Sequence, residues 1–195
     1  DKPVTSEAND VLTETDGVRY KVDTMNSRIE WKGYKVLKSD QNTHFGDIKV
    51  ECGDVTVKDG KLQLEKFVAD ITTLENIDLK DDQEMKAKLE GHLKSGDFFE
   101  VEKFPTASYE ITKVTENAAG DYNTLLEGNL TIKGITKPVQ FKANVTVADG
   151  NVSIASEPTD INREDFGLKF ELPLENGLLN KEINLQILVK ALESK

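Results

Sequence analysis

A lone cysteine, Cys52, excludes any disulfide within this chain of 195 residues. It falls in "IKVECGDVTV", in step with Ile48 and Val50, and reads as a small buried hydrophobe. Histidine is nearly as scarce. His44 and His92 stand on separate predicted elements, outside any HExxH or CxxC spacing, so no metal centre is expected. His44 and Cys52 share a predicted strand but lie about 26 Å apart at strand rise, too far for a nucleophile–base pair. There is no nucleophile elbow, glycine-rich phosphate loop or dinucleotide fingerprint, and nothing in the sequence asks for catalysis. No apolar run approaches the roughly 18 residues of a membrane span. Positive charge is in deficit: 25 Lys and Arg against 36 Asp and Glu give a net charge of −11. Such a surface repels nucleic acid and anionic headgroups, which removes both from the expected partners. With 37% hydrophobic residues the chain can still build a core, as a soluble carrier or binding protein would.

Residues 1–17, "DKPVTSEANDVLTETDG", hold few large apolar groups and neither a basic n-region nor an apolar h-region. They are expected to form a flexible polar leader left after a processed signal, with residues 18–195 as a single domain.

From residue 18 onward the dominant period is two. "RIEWKGYKV" places Ile29, Trp31 and Gly33 on one face, and "HFGDIKVEC" aligns Gly46, Ile48, Val50 and Cys52. Asp59-Gly60 and Asp149-Gly150, each between alternating runs, predict hairpins. Parity slips between Leu64 and Phe67, which predicts a bulge or bend. The later strands are cleaner, aligning Leu126, Gly128, Leu130 and Ile132, then Val139, Phe141, Ala143, Val145 and Val147, then Ile183, Leu185, Ile187, Val189 and Ala191. One segment changes period. In "DDQEMKAKLEGHLKSG", Met85, Leu89, His92 and Leu93 make the apolar stripe of a helix, with Asp81 and Glu84 as capping box and Gly96 as terminator.

Eight or more antiparallel strands with one apolar face each must close a barrel or pack as a sandwich. Gly33, Gly128 and Ala143 are small among the inward Leu, Ile and Val, so some layers of a barrel look under-filled. Ala143 lies mid-strand and marks where a lumen would be open. After the helix, Phe98, Phe99 and Phe104 crowd one corner, either lining and plugging a barrel end or anchoring the helix. In "NREDFG", Arg163 offers either a partner for an anionic head group or a local salt bridge with Asp165.

The runs "SRIEWKGYKV", "HFGDIKV", "KLEGHLKSGDFFEVEKFPTASYEI", "GNLTIKGITKPVQF" and "INREDFGLKF" lie between residues 27 and 170, within a likeness that extends over roughly residues 18–192. Together they resemble the YceI-like family of bacterial, lipocalin-like polyisoprenoid-binding proteins. The resemblance implies an all-β fold with one short helix. That fold is an eight-stranded antiparallel lipocalin-like β-barrel with an elongated apolar lumen and the amphipathic helix near its mouth. It implies export to the periplasm, in some members with an N-terminal lipid anchor as membrane tether. It implies binding rather than reaction, with no cofactor beyond a bound lipid such as a polyprenyl chain, quinone or fatty acid. Oligomeric state, dimer included, stays open. Inward parity and the resemblance together name as candidate ligand contacts Trp31, Ile48, Phe67, Leu89, His92, Leu93, Phe98, Phe99, Phe104, Leu130, Ile132, Phe141, Ala143, Arg163, Phe166 and Phe170. Many relatives carry an Asp-x-x-His-Ser opening; here Asn26 stands at the histidine's place, which removes that histidine from any head-group role. The alternatives are an enzyme acting on such a lipid, with His92 or an Asp as base, and a structural or stress-associated module whose barrel is packed solid.

Overall fold

A computed structural model of the chain describes residues 17–35, 43–116, 120–169 and 179–194. The expected leader, residues 1–16 of it, lies outside the described residues, as does Phe170. The elements run β1 (Val18–Val22), β2 (Arg28–Lys35), β3 (Thr43–Lys58), β4 (Lys61–Asn76), α1 (Gln83–Lys94), β5 (Thr106–Glu116), β6 (Thr124–Ile132), β7 (Ile135–Ala148), β8 (Asn151–Ser156), β9 (Thr159–Asn162) and β10 (Leu179–Glu193). Short 3-10 turns at Thr24–Asn26 and Arg163–Phe166 complete the set.

Every pairing is antiparallel, and β10 closes the sheet. It bonds β2 and then β1 along one edge, and β9 and then β8 along the other. Both β1 and β2 also pair β3, so they are two pieces of one position, and β8 and β9 follow each other along β10. Ten strands less two shared positions leave eight, an eight-stranded antiparallel barrel of lipocalin-like type. Asp59-Gly60 and Asp149-Gly150 have positive φ at both residues (53° and 74°; 52° and 75°), as two-residue hairpin turns require. Lys133-Gly134 makes a third turn of the same kind.

A parity slip does occur in β4 but earlier than expected: the β3–β4 register shifts between Leu62 and Leu64, not between Leu64 and Phe67, which places Leu62 inward, then Glu65, Phe67 and Ile71. A bulge predicted by nothing in β3 overturns the reading of Cys52. The β3–β4 register shifts between Val50 and Cys52, so the extra residue turns the thiol to the outer face, where it is exposed. Val55 and Val57 take the inward positions instead.

The helix forms where expected, one residue out of step at its start. Asp82, not Asp81, is the N-cap and accepts the Met85 N–H at 3.1 Å. The stripe is narrower than its spacing suggests: Met85 is exposed, Leu89 and His92 are half-buried, and Leu93 alone is buried. The helix lies on the barrel rim and touches the core chiefly through its last turn.

The inward glycine does not leave room. A Cβ on Gly128 would stand 2.4 Å from the Glu110 carbonyl oxygen, so the backbone of β5 already fills that space. Ala143 is 0% exposed between its register partners Thr124 and Ser156. Leu126 and Ile154, two residues along β6 and β8 from those partners, are 0% and 1% exposed, and such burial argues for a filled layer here rather than the under-filled one expected at Ala143. Ala143→Trp is therefore expected to destabilise the protein by about 1–3 kcal/mol through overpacking, read from the urea midpoint; an unchanged midpoint would show spare room at this layer.

Candidate functional site

Inside the barrel, in the half nearer α1, lies an apolar cavity of about 60 Å³. Each wall comes from the inward face of a strand: Ile29 from β2, Ile48 and Val50 from β3, Phe67, Ala69 and Ile71 from β4, Ala107 and Tyr109 from β5. Leu130 and Ile132 from β6, Phe141 from β7, and Ile183, Leu185 and Ile187 from β10 complete the ring, with Phe99 reaching in from the loop after α1. Since a water needs roughly 10–15 Å³ on this measure, the space holds on the order of four to six water-sized groups. A long chain must push side chains aside to occupy it. Ala69 and Ala107 are register partners on neighbouring strands, and their two missing side chains create much of the room.

The lining is almost wholly apolar. Ser108 and the Tyr109 hydroxyl are the polar members, and the Tyr109 hydroxyl donates to the Val139 carbonyl at 2.7 Å. Its ring meets Phe141 edge to face, with centroids 5.1 Å apart.

Six of the sequence-derived candidates line the cavity: Ile48, Phe67, Phe99, Leu130, Ile132 and Phe141. The aromatic corner divides its labour. Phe99 reaches the cavity; Phe98 packs edge to face against it at 4.8 Å; Phe104 lies against Gly134 of the β6–β7 turn. Lys133 binds this corner together, donating to the carbonyls of Gly96 (3.2 Å) and Gly167 (3.4 Å) and lying 3.9 Å from Glu100. Leu89, His92 and Leu93 belong to α1 outside the lining, and Trp31, Ala143, Arg163 and Phe166 are buried outside it too. Arg163 bonds within its own turn: its Nη1 donates to the Leu168 carbonyl, while the Leu168 N–H returns to the Arg163 carbonyl at 3.1 Å. Burial lowers its pKa from the usual value.

At the rim, His44 Nδ1 stands 2.7 Å from Asp78 Oδ2. Asp78 Oδ1 accepts from the Phe45 N–H at 2.8 Å and from Asn76 Nδ2 at 2.7 Å. Burial raises the Asp78 pKa, yet the hydrogen bonds from Phe45, His44 and Asn76 outweigh it and hold the carboxyl below its ordinary range. The Asn76 N–H donates to Glu90 at 2.8 Å, and Glu90 pairs Lys86 at 2.8 Å, so α1 is tied to the ends of β3 and β4.

Sequence reasoning missed Ala69, Ala107 and, above all, Glu65. The signal for the alanines was smallness at inward parity, but only the β4–β5 register shows that they meet. Glu65 is 3% exposed on the inward face of β4, between register partners Val55 and Ile111, each 1% exposed. Neither carboxyl oxygen has a hydrogen-bond partner among the described residues. Desolvation pushes its pKa well above the ordinary 4.5.

The unfolded chain gives up this proton near pH 4.5, while the folded barrel retains it to higher pH. Stability from this group is thus complete below the unfolded value and is lost as pH rises through the folded one. Glu65→Gln is expected to flatten that decline. Glu65→Leu should flatten it and also raise neutral-pH stability by about 1–3 kcal/mol, the cost of an unpaired buried polar group. Urea midpoints across the range decide it; a decline as steep in both variants as in the wild type would clear Glu65 of the effect.

Comparison with known proteins places this architecture. A family model described as the YceI-like domain matches residues 20–191. A UPF0312 protein of Shewanella denitrificans is 26% identical over 197 residues, covering 98% of this chain and 91% of its own. One from Vibrio parahaemolyticus is 28% identical over 149 residues, 76% of this chain and 69% of its own. Among solved structures, Burkholderia cenocepacia BcnA superposes with a TM-score of 0.66 at 17% identity, over 87% of this chain and 98% of its own. A polyisoprenoid binding domain from Saccharophagus degradans gives 0.63 at 11% identity, over 91% and 99%. At such identities the two structures speak to the fold, an eight-stranded ring with one helix, and the matched span covers nearly all of the barrel described above. The chain belongs to the YceI-like family.

Proposed function

We propose that the protein binds a long isoprenoid or similar amphiphile inside its barrel, without turning it over. The observation that carries this reading is the cavity between Ala69, Ala107, Phe99 and Phe141, set inside the barrel and lined almost entirely by apolar side chains. Each CH₂ withdrawn from water into such a lining is worth about 0.8 kcal/mol, and a wall without free polar groups asks for no hydrogen bonds along a hydrocarbon chain. The Saccharophagus degradans neighbour, a polyisoprenoid binding domain by its description, shares the barrel and supports the same class of ligand. In this reading the rings of Phe67, Phe99 and Phe141 turn aside as the chain enters, because the resting cavity is smaller than any long lipid. Sequestration or transport in the periplasm, after export and with a lipid tether ahead of Asp1, is the cellular role we attach to it. Fractionating cells that express the full-length gene tests that location; a cytosolic protein would end it.

Binding itself is tested by organic extraction of the purified protein and mass spectrometry. A stoichiometric hydrophobic molecule is expected. Ala107→Leu sharpens the test. The added side chain fills the space opposite Ala69, so the variant should keep its melting temperature and lose the co-purifying lipid. Unchanged lipid content in that variant would place the ligand elsewhere.

A further inference from the structure

Among the described residues, nothing packed around the Glu65 carboxyl satisfies it. Its cross-strand neighbours Val55 and Ile111 offer no donor or acceptor side chain. Tyr109, on the packed strand β5, feels the Glu65 charge, but its hydroxyl donates to the Val139 carbonyl. No cationic side chain pairs with it among the described residues, and burial alone accounts for its perturbed acidity. Yet it sits beside the cavity. Glu65 is two residues from Phe67 on the same inward face, roughly 6.6 Å along the strand, and both Phe67 and its register partner Tyr109 line the cavity. The carboxyl therefore lies one layer beyond the floor made by Phe67, Tyr109 and Phe141.

Buried polar groups are almost always paired, and an unpaired one in a native core calls for a partner, which the described residues of this chain do not supply. Resting on the lipid-binding reading above, we propose that Glu65 is the polar anchor of the site. Its carboxyl donates a hydrogen bond to a neutral oxygen (a hydroxyl, ketone or ester carbonyl) carried at the end of an apolar chain. The ligand enters oxygen first, displaces the Phe67 or Phe141 ring, and leaves its tail between Ala69 and Ala107, toward Phe99 and α1. An anionic head group fits poorly there, because it would be desolvated with no countercharge. A cation would need Glu65 ionised in the same dry surroundings. What the layer suits is an uncharged acceptor.

Three molecules sharing one C20 branched skeleton test this: phytane with no oxygen, phytol with a hydroxyl, and phytanic acid, ionised at neutral pH. The lipid-stripped full chain is incubated with an equimolar mixture, freed of unbound material, extracted and quantified by mass spectrometry. Phytol is expected to exceed phytane about tenfold, the equivalent of roughly 1.4 kcal/mol, and phytanic acid is expected to fall below phytol. In Glu65→Leu the phytol-to-phytane ratio should drop to near one with phytane still bound. Glu65→Gln, whose amide also donates, should keep most of the preference. Equal occupancy by phytol and phytane in the wild type, preference for phytanic acid, or an unchanged ratio in Glu65→Leu overturns the anchor and leaves lipid binding standing. Occupancy by none of the three overturns both.

Discussion

The structure depends on one closure. Strand β10 serves both ends of the sheet, bonding β1 and β2 on one side and β8 and β9 on the other. A closed ring has no edge strand to protect and encloses a single interior that every inward side chain must share. Eight strands fix the width of that interior at about the span of the side chains themselves. Room for anything else is then decided residue by residue. Where Ile111, Leu126, Ile154 and Val189 point inward the barrel is solid; where Ala69 meets Ala107 it opens. Function in this fold is a matter of which layer is under-filled.

The same closure raises the cost of every polar atom inside. Tyr109 and Arg163 meet that cost by donating to backbone carbonyls, those of Val139 and Leu168. Trp31 Nε1 and the Glu65 carboxyl do not, among the described residues. The contrast matters because stability alone would favour Leu at Glu65. A residue that weakens the fold while sitting next to the one apolar cavity described here is better explained by something that visits the cavity than by packing.

Much of the fold was legible because strand alternation and turn chemistry are local. Asp59-Gly60 and Asp149-Gly150 announced their hairpins, and the inward faces of β6, β7 and β10 follow the alternation without a break. What failed were the quantities set by neighbours. Cys52 was assigned to the core because its parity matched Val50, and a bulge between the two reversed it. Glu65 looked like the polar half of an alternating strand until the slip after Leu62 carried it inside. Depth along the barrel was hidden as well: Phe141 and Ala143 share a face and stand two residues apart, yet only Phe141 borders the cavity. Parity tells which way a side chain points, whereas the layer it reaches depends on the register of both adjoining strands.

The helix draws these features together. Within α1 only Leu93 is buried, Leu89 is half-buried against the core, and polar ties run through Glu90 to the Asn76 N–H and Lys86 to Glu90 and Glu75. An element held by two apolar side chains near its end and partly exposed ion pairs is among the less firmly fixed parts of a fold. It is also coupled to the cavity wall, because the Phe99 N–H donates to the Leu93 carbonyl at 3.0 Å and the Phe99 ring lines the cavity. Displacing Leu93 therefore displaces Phe99. The opposite side of this corner is held at three points by Lys133. The barrel thus yields on the α1 side and resists on the hairpin side, and a chain admitted beneath α1 would meet Phe99 first, the two alanines next, and Glu65 last.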